Sequence, residues 1–165
     1  MTDLAAVLRI VEERADSEVG GALVSAQWRE LMVRYGVPAD RDVSDDLEVV
    51  HLAPPGGVFL VGWAADEPVA CGGVRRHDDT TGEVKRMYVD PEHRGNGHAR
   101  TLLRALEERA RALGYSRMVL ETGTRQPEAI ALYESEGYVR IESYGFYAGA
   151  SDERCYGKDL AHPTR

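Results

Sequence analysis

The chain has 165 residues, enough to bury one sizeable core and too few for two ordinary domains, so a single domain spanning residues 1–165 is expected. Hydrophobic residues make up 43% and charged residues 29%, which excludes a disordered or fibrous chain. A formal charge of −8 opposes non-specific attraction to nucleic acid or anionic lipid, so neither is expected as a partner.

The start, Met1-Thr2-Asp3-Leu4, has no basic region leading into an apolar one, and no later stretch is long and apolar enough to span a bilayer. A soluble, cytoplasmic protein is the expectation. Leu8-Arg9-Ile10-Val11 reads as a first strand. Asp16 is a candidate cap for a helix whose Val19, Leu23, Val24, Leu31 and Val33 recur at near-helical spacing, ending near Gly36 and Pro38. The acidic segment Ala39 to Gly57 holds Pro54-Pro55-Gly56-Gly57 and room for one short helix around Asp45 to His51. Val58 to Ala64 and Val69 to Arg76, joined by Ala65-Asp66-Glu67-Pro68, form a hairpin pattern.

A third strand is predicted from Gly82 to Val89, stopped by Pro91. From Gly97 to Leu113 the residues Leu102, Leu103, Leu106, Ala110 and Leu113 define an amphipathic helix closed by Gly114. Arg117 to Thr122 is another strand and Pro127 to Glu136 another helix, ending at Gly137. Tyr138 to Ser143 and Cys155 to Leu160 complete the pattern as the last strands. Antiparallel strands followed by a strand-helix-strand unit imply an α/β fold with one mixed, mostly antiparallel sheet flanked by helices. Cys71 and Cys155 sit in apolar strand-like runs without metal or redox spacing and read as core thiols. The histidines at 51, 77, 93, 98 and 162 lack ligand spacing, and no metal is expected; His93 and His98 are placed to flank phosphate or solvent.

The chemistry concentrates in Val89-Asp90-Pro91-Glu92-His93-Arg94-Gly95-Asn96-Gly97-His98-Ala99-Arg100. Two glycines there precede an apolar helix, so backbone can approach a ligand closely while the uncapped first-turn N–H groups and helix dipole favour an anion such as a pyrophosphate. No Gly-Lys-Ser/Thr follows, and Arg100 stands where a dinucleotide fingerprint needs its third glycine, so neither nucleotide loop fits.

With Arg94, Gly97 and Ala99 this loop closely resembles the coenzyme A signature Arg/Gln-x-x-Gly-x-Gly/Ala of the GNAT N-acetyltransferase family. Glu83-Val84-Lys85-Arg86-Met87-Tyr88-Val89-Asp90-Pro91 resembles that family's central strand, and Ala131-Leu132-Tyr133-Glu134-Ser135-Glu136-Gly137-Tyr138 its later A-L-Y-x-x-x-G-F/Y segment. The resemblance covers about residues 58–160. It implies the GNAT fold and acetyl-coenzyme A as acyl donor, with the backbone of Met87, Tyr88 and Val89 pairing the pantetheine arm. The amides of Arg94, Gly95, Asn96, Gly97, His98, Ala99 and Arg100 would hold the pyrophosphate, and Ala129 would lie beside the cofactor. Where family members often carry an Asn, seven residues before the tyrosine, this chain has Gln126. A homodimer is a further family-level expectation.

Tyr133 occupies the position of the family's usual general acid, and its phenol is protonated at neutral pH. Its alternative reading is a core tyrosine packed on the sheet. Two strand carboxylates, Glu83 and Glu121, are candidate bases; otherwise Glu83 is a solvated strand-end charge and Glu121 an ion-pair partner of Arg86 or Arg117. Tyr144, Phe146 and Tyr147 form an aromatic cluster that would wall an acceptor pocket or pack under a loop. The expected activity is acetyl transfer to a primary amine, of a small molecule by preference. The alternatives are a protein acetyltransferase acting on an N-terminus or lysine, and a coenzyme A-binding module without catalysis.

Overall fold

The computed structural model describes residues 7–38, 49–145 and 148–161. Strand β1 (Leu8–Glu12) leads into helix α1 (Glu18–Tyr35). The cap of α1 falls one residue later than expected. The Ser17 side chain accepts from the Gly20 N–H at 3.0 Å, while Asp16 is taken up by Arg14, whose Nε and Nη2 donate to its two oxygens at 2.8 and 2.7 Å. The helix stops at Gly36 as predicted. Leu23 and Val24 are buried, but Val33, grouped with them by spacing, is 83% exposed.

Of the short helix expected over Asp45 to His51, only a 3-10 turn at Val49–His51 falls within the described residues. Strands β2 (Val58–Ala64) and β3 (Glu67–Arg76) form the hairpin, turning on Ala65 and Asp66 alone, two residues fewer than predicted. β2 reads as an unbroken apolar run because both of its faces are covered. Val58 and Leu60 join one core with Leu102, Leu103 and Leu106 of helix α2 (His98–Ala112). Phe59 and Val61 alternate into a second core with Leu23 and Val24 of α1.

Strand β4 (Thr81–Val89) follows the hairpin, and a short 3-10 turn, Pro91–His93, links it to α2. After α2 come β5 (Arg117–Gly123), α3 (Pro127–Ser135), β6 (Val139–Arg140) and β7 (Glu153–Asp159). The seven strands run β1-β2-β3-β4-β5-β7-β6, and every pair is antiparallel except β4–β5. That one parallel pair requires a crossover, which α2 supplies. The result is the mixed, mostly antiparallel sheet flanked by helices that the sequence predicted. At Gly72 a Cβ would lie 2.7 Å from Met87 Sδ and 3.0 Å from Leu106 Cδ1, so only glycine lets α2 settle on the sheet there. Cys71 and Cys155 are buried free thiols, as expected.

The last strands differ from the prediction. β6 pairs with β7 only through Val139↔Gly157 and Arg140↔Tyr156, and after Ile141 the chain leaves the sheet. There Ser143 Oγ donates to Glu153 at 2.5 Å and Tyr144 OH to Glu83 at 3.0 Å, so polar side chains draw inward a segment that alternation alone would extend. β7 begins at Glu153, two residues earlier than predicted.

Two features of β4 prepare the site. Cys71↔Tyr88 is followed by Gly73↔Lys85, so three steps on β4 oppose two on β3, and Arg86 in this bulge takes φ 60°. A bulge bends its strand and adds twist. The parallel ladder then ends at Val84↔Leu120, although β4 continues to Val89 and β5 to Gly123. The two strands splay, and beyond Val84 the β5-facing edge of β4 has no strand beside it among the described residues.

Leu106 is fully buried at the centre of the α2 face. Leu106→Ala is expected to lose about 2–5 kcal/mol of unfolding free energy by denaturant titration.

Candidate active site

The splay opens two cavities. The first, of about 280 Å³, runs along Met87, Tyr88 and Val89 of β4, past Arg94, Gly95 and Gly97, to His98, Ala99 and Arg100 at the start of α2. Its opposite wall is Gln126, Ala129, Leu132 and Tyr133. Gly97 caps α2 at φ 77° and Gly95 holds φ 84°, a region other residues enter only under strain. No side chain caps this helix, and its first internal bond from Gly97 O reaches only Thr101 N, leaving the preceding first-turn amides to a ligand or solvent.

The side chains of the loop brace it. Arg94 Nε donates to Val89 O at 2.9 Å and Nη2 to Glu30 of α1 at 2.6 Å, with its guanidinium 5.8 Å from the centre of the Tyr88 ring. Arg100 and Arg104 both pair with Glu136, tying α2 to the end of α3. Asn96 Nδ2 donates to His93 O at 3.2 Å, and Asn96 is the one residue of the predicted cradle outside the cavity lining. His98 is buried rather than solvent-facing, and desolvation, then His93, lowers its pKa. His93 is half-buried, with Nε2 3.4 Å from Glu67.

The second cavity, also about 280 Å³, lies on the other side of the splay. Trp28, Met32 and Tyr35 of α1 line it, together with Lys85 and Arg86 of β4, Glu121 and Thr122 of β5, and Asp152 and Glu153 around the start of β7. Gln27, Leu31, Met87, Gln126 and Tyr133 line both cavities, so the two meet there. Tyr133 is thus both packed on the sheet and part of the wall where the cavities meet. Its ring is 6% exposed and packs edge-on against Tyr138 at 5.7 Å, yet it forms part of the shared wall, and burial pushes its phenol pKa well above the usual value. Gln126 is fixed by its backbone N–H to Gly123 O at 2.9 Å and by its side-chain amide, which donates to Tyr35 OH at 3.2 Å.

The two carboxylates picked from the sequence have opposite fates. Glu83 is neither solvated nor in a cavity wall. It is 3% exposed, accepting from Arg75 Nε at 2.6 Å and from Tyr144 OH at 3.0 Å. Glu121 is half-buried in the second cavity; of its two expected partners Arg117 pairs with Asp159, while Arg86 lines the same cavity. Desolvation first, then the charge of Glu153 and a hydrogen bond to it, raise Glu121 to about 7 against the opposing pull of Lys85. Glu153 feels desolvation most strongly too, but hydrogen bonds from Cys155, Ser143 and Glu121 outweigh it and hold its pKa below the usual range. The pair thus divides into one carboxylate that stays ionised and one that titrates near neutrality.

Glu121, Glu153 and Cys155 bring three possible metal-ligand atoms within 4.8 Å of one another. The Cys155 thiol donates to Glu153 at 2.5 Å, and burial pushes its pKa up to about 12, so it behaves as a hydrogen-bonded thiol. Of the predicted aromatic cluster, Tyr144 packs on His77 at 4.9 Å and covers Glu83, while Phe146 and Tyr147 lie outside the described residues.

Sequence reasoning expected the first helix to help build the acceptor pocket but singled out none of its lining residues, and it missed Lys85, Asp152 and Glu153. A signal for α1 was present: Trp28, Leu31, Met32 and Tyr35 recur at helical spacing and continue the stripe begun by Val24.

Residues 22–138 match the acetyltransferase (GNAT) family. The IAA acetyltransferase of Azospirillum brasilense is 40% identical over 102 residues, 61% of this chain and 67% of that protein. Human N-acetyltransferase 8B is 33% identical over 137 residues, 78% of this chain and 60% of the human one. A Klebsiella pneumoniae structure assigned as an acyl-CoA N-acyltransferase superposes with a TM-score of 0.80 at 29% identity, covering 94% of this chain and 99% of that one. A GNAT family acetyltransferase from Elizabethkingia anophelis, solved with acetyl-CoA bound, shares the fold at 15% identity and a TM-score of 0.68, over 93% of this chain and 98% of its own. The chain belongs to the GNAT acetyltransferase family.

Glu153→Gln removes one of the charges that raise Glu121, so the Glu121 carboxyl is expected to titrate below about 7 when followed by carbon-13 NMR. A value that stays or rises contradicts the coupling.

Proposed function

We propose that this chain is a single catalytic domain that transfers an acetyl group from acetyl-CoA to a primary amine of a small molecule. The observation that carries the reading is the meeting of two cavities at Tyr133, one bordered by an uncapped helix start and the other by carboxylates. Acetyl-CoA is the ligand held by the Elizabethkingia relative, and an anionic pyrophosphate suits first-turn amides.

In this reading the amides from Arg94 to Arg100 hold the pyrophosphate. The free edge at Met87, Tyr88 and Val89 pairs the pantetheine arm, and Ala99 and Ala129, with small side chains, leave room beside it. Gln126, held by Tyr35, lines the thioester end. The attacking amine enters from the second cavity, forms the new C–N bond as the thioester C–S bond breaks, and gives its proton to Glu121, directly or through water. The departing sulfur takes a hydrogen bond and then a proton from Tyr133. A phenol with a raised pKa is fully protonated at working pH, and solvent returns its proton. Glu83 has both oxygens engaged, by Arg75 and Tyr144, and serves to hold that corner of the sheet.

Tyr133→Phe is expected to lower kcat by about 10²-fold or more while acetyl-CoA binding by calorimetry persists. A base must be ionised to act, so kcat/KM is expected to rise with pH through a limb near 7, the value to which burial lifts Glu121. Glu121→Gln is expected to erase that limb. A Tyr133→Phe enzyme with undiminished kcat removes the tyrosine from the mechanism.

A further inference from the structure

The second cavity carries both signs of charge. Glu121, Asp152 and Glu153 line it, and so do Lys85 and Arg86, consecutive residues at the bulge of β4. The Arg86 guanidinium lies 5.8 Å from the centre of the Trp28 ring in the same wall. Lys85 is half-buried, and among the described residues its ammonium has neither a hydrogen bond nor an ion pair within 4.0 Å. Its neighbours are mixed: Glu83 and Glu121 attract it, while Arg75 and Arg86 repel it, and desolvation disfavours its charge most of all. Of the two carboxylates that attract it, Glu83 is committed to Arg75 and Tyr144. A cation taken partly out of water without a partner, beside two guanidinium groups, gains from an arriving anion.

At the junction of the cavities the complementary vacancy is an acceptor. Gln27 Oε1 is buried and has no hydrogen-bond partner among the described residues, and Gln27 lines both cavities. A donor N–H placed there satisfies it. From the transfer reading above, on which this step rests, the acceptor nitrogen stands at that junction.

We infer that the acceptor is an amine bearing a free carboxylate, an amino acid or close derivative, with its nitrogen at Gln27 and its carboxylate on Lys85 beside Arg86. A polyamine would bring further positive charge against Lys85 and Arg86. A peptide N-terminus or a lysine within a chain has no free carboxylate at the required place.

The test is a thiol-release assay with matched acceptors: amino acids, their C-terminal amides and the corresponding decarboxylated amines, alongside polyamines. The wild-type kcat/KM is expected to favour the free acid over its amide by about 10- to 100-fold, mainly through KM. Lys85→Met is expected to compress that preference by about tenfold or more and Lys85→Arg to keep most of it, with circular dichroism melting curves confirming that both variants fold. A bulk structural defect would lower all acceptors alike and leave the preference ratio intact. A wild-type enzyme that prefers the amide, the decarboxylated amine or a polyamine overturns the inference while leaving acetyl transfer in place, as does a ratio unchanged in Lys85→Met. If no acceptor of the panel releases thiol, the transfer reading itself falls, and this inference with it.

Discussion

Everything distinctive in this molecule follows from the point at which β4 and β5 stop pairing. Through Val84↔Leu120 they form the one parallel ladder of the sheet, and beyond it β4 bends at the Arg86 bulge while β5 stays fully paired with β7. The unladdered stretch of β4 ends at Val89, and the chain then passes through the glycine loop into α2. A free strand edge and an uncapped helix start therefore adjoin by connectivity. Both offer backbone groups that need partners, which is the general basis of ligand recognition by main chain. The surrounding side chains, Arg94 to Val89 and Glu30 and Arg100 to Glu136, keep that framework rigid.

The other side of the opening is governed by electrostatics. Within a few residues, two glutamates of the same sheet are driven apart in function by their partners. Glu83 is neutralised by Arg75 and capped by Tyr144, whereas Glu121 faces the cavity with Glu153 as a neighbour. Desolvation raises both members of the Glu121–Glu153 pair, and hydrogen bonds to Glu153 decide which one stays ionised. A carboxyl poised near neutrality is the kind of group that proton transfer requires.

Much of this was legible in the sequence, for identifiable reasons. The unbroken run of β2, the leucine spacing of α2 and the glycines at 95, 97, 114 and 137 are local signals, and β2, α2 and α3 formed close to their predicted bounds. One wall of the first cavity was readable because it comes from short contiguous stretches, 87–89 and, Asn96 aside, 94–100. What hydrophobic pattern could not supply was the choice of polar side-chain partners. The cap moved to Ser17 because Arg14 engaged Asp16, and β6 ended at Arg140 because Ser143 and Tyr144 turned to Glu153 and Glu83. The second cavity draws on α1, β4, β5 and the segment before β7, which are far apart in sequence. Lys85 and Glu153 therefore carried no motif to announce them.

The central claim is that the splay of β4 from β5, together with the start of α2, is the donor site. A titration of the nitrogen-15-labelled protein with coenzyme A, followed through backbone amide resonances, tests it most directly. The account predicts saturable shifts concentrated at Met87, Tyr88 and Val89 and at the amides from Gly95 to Arg100, with smaller changes at Gln126 and Ala129. Saturation with those amides unmoved, and shifts gathered elsewhere on the fold, would contradict it.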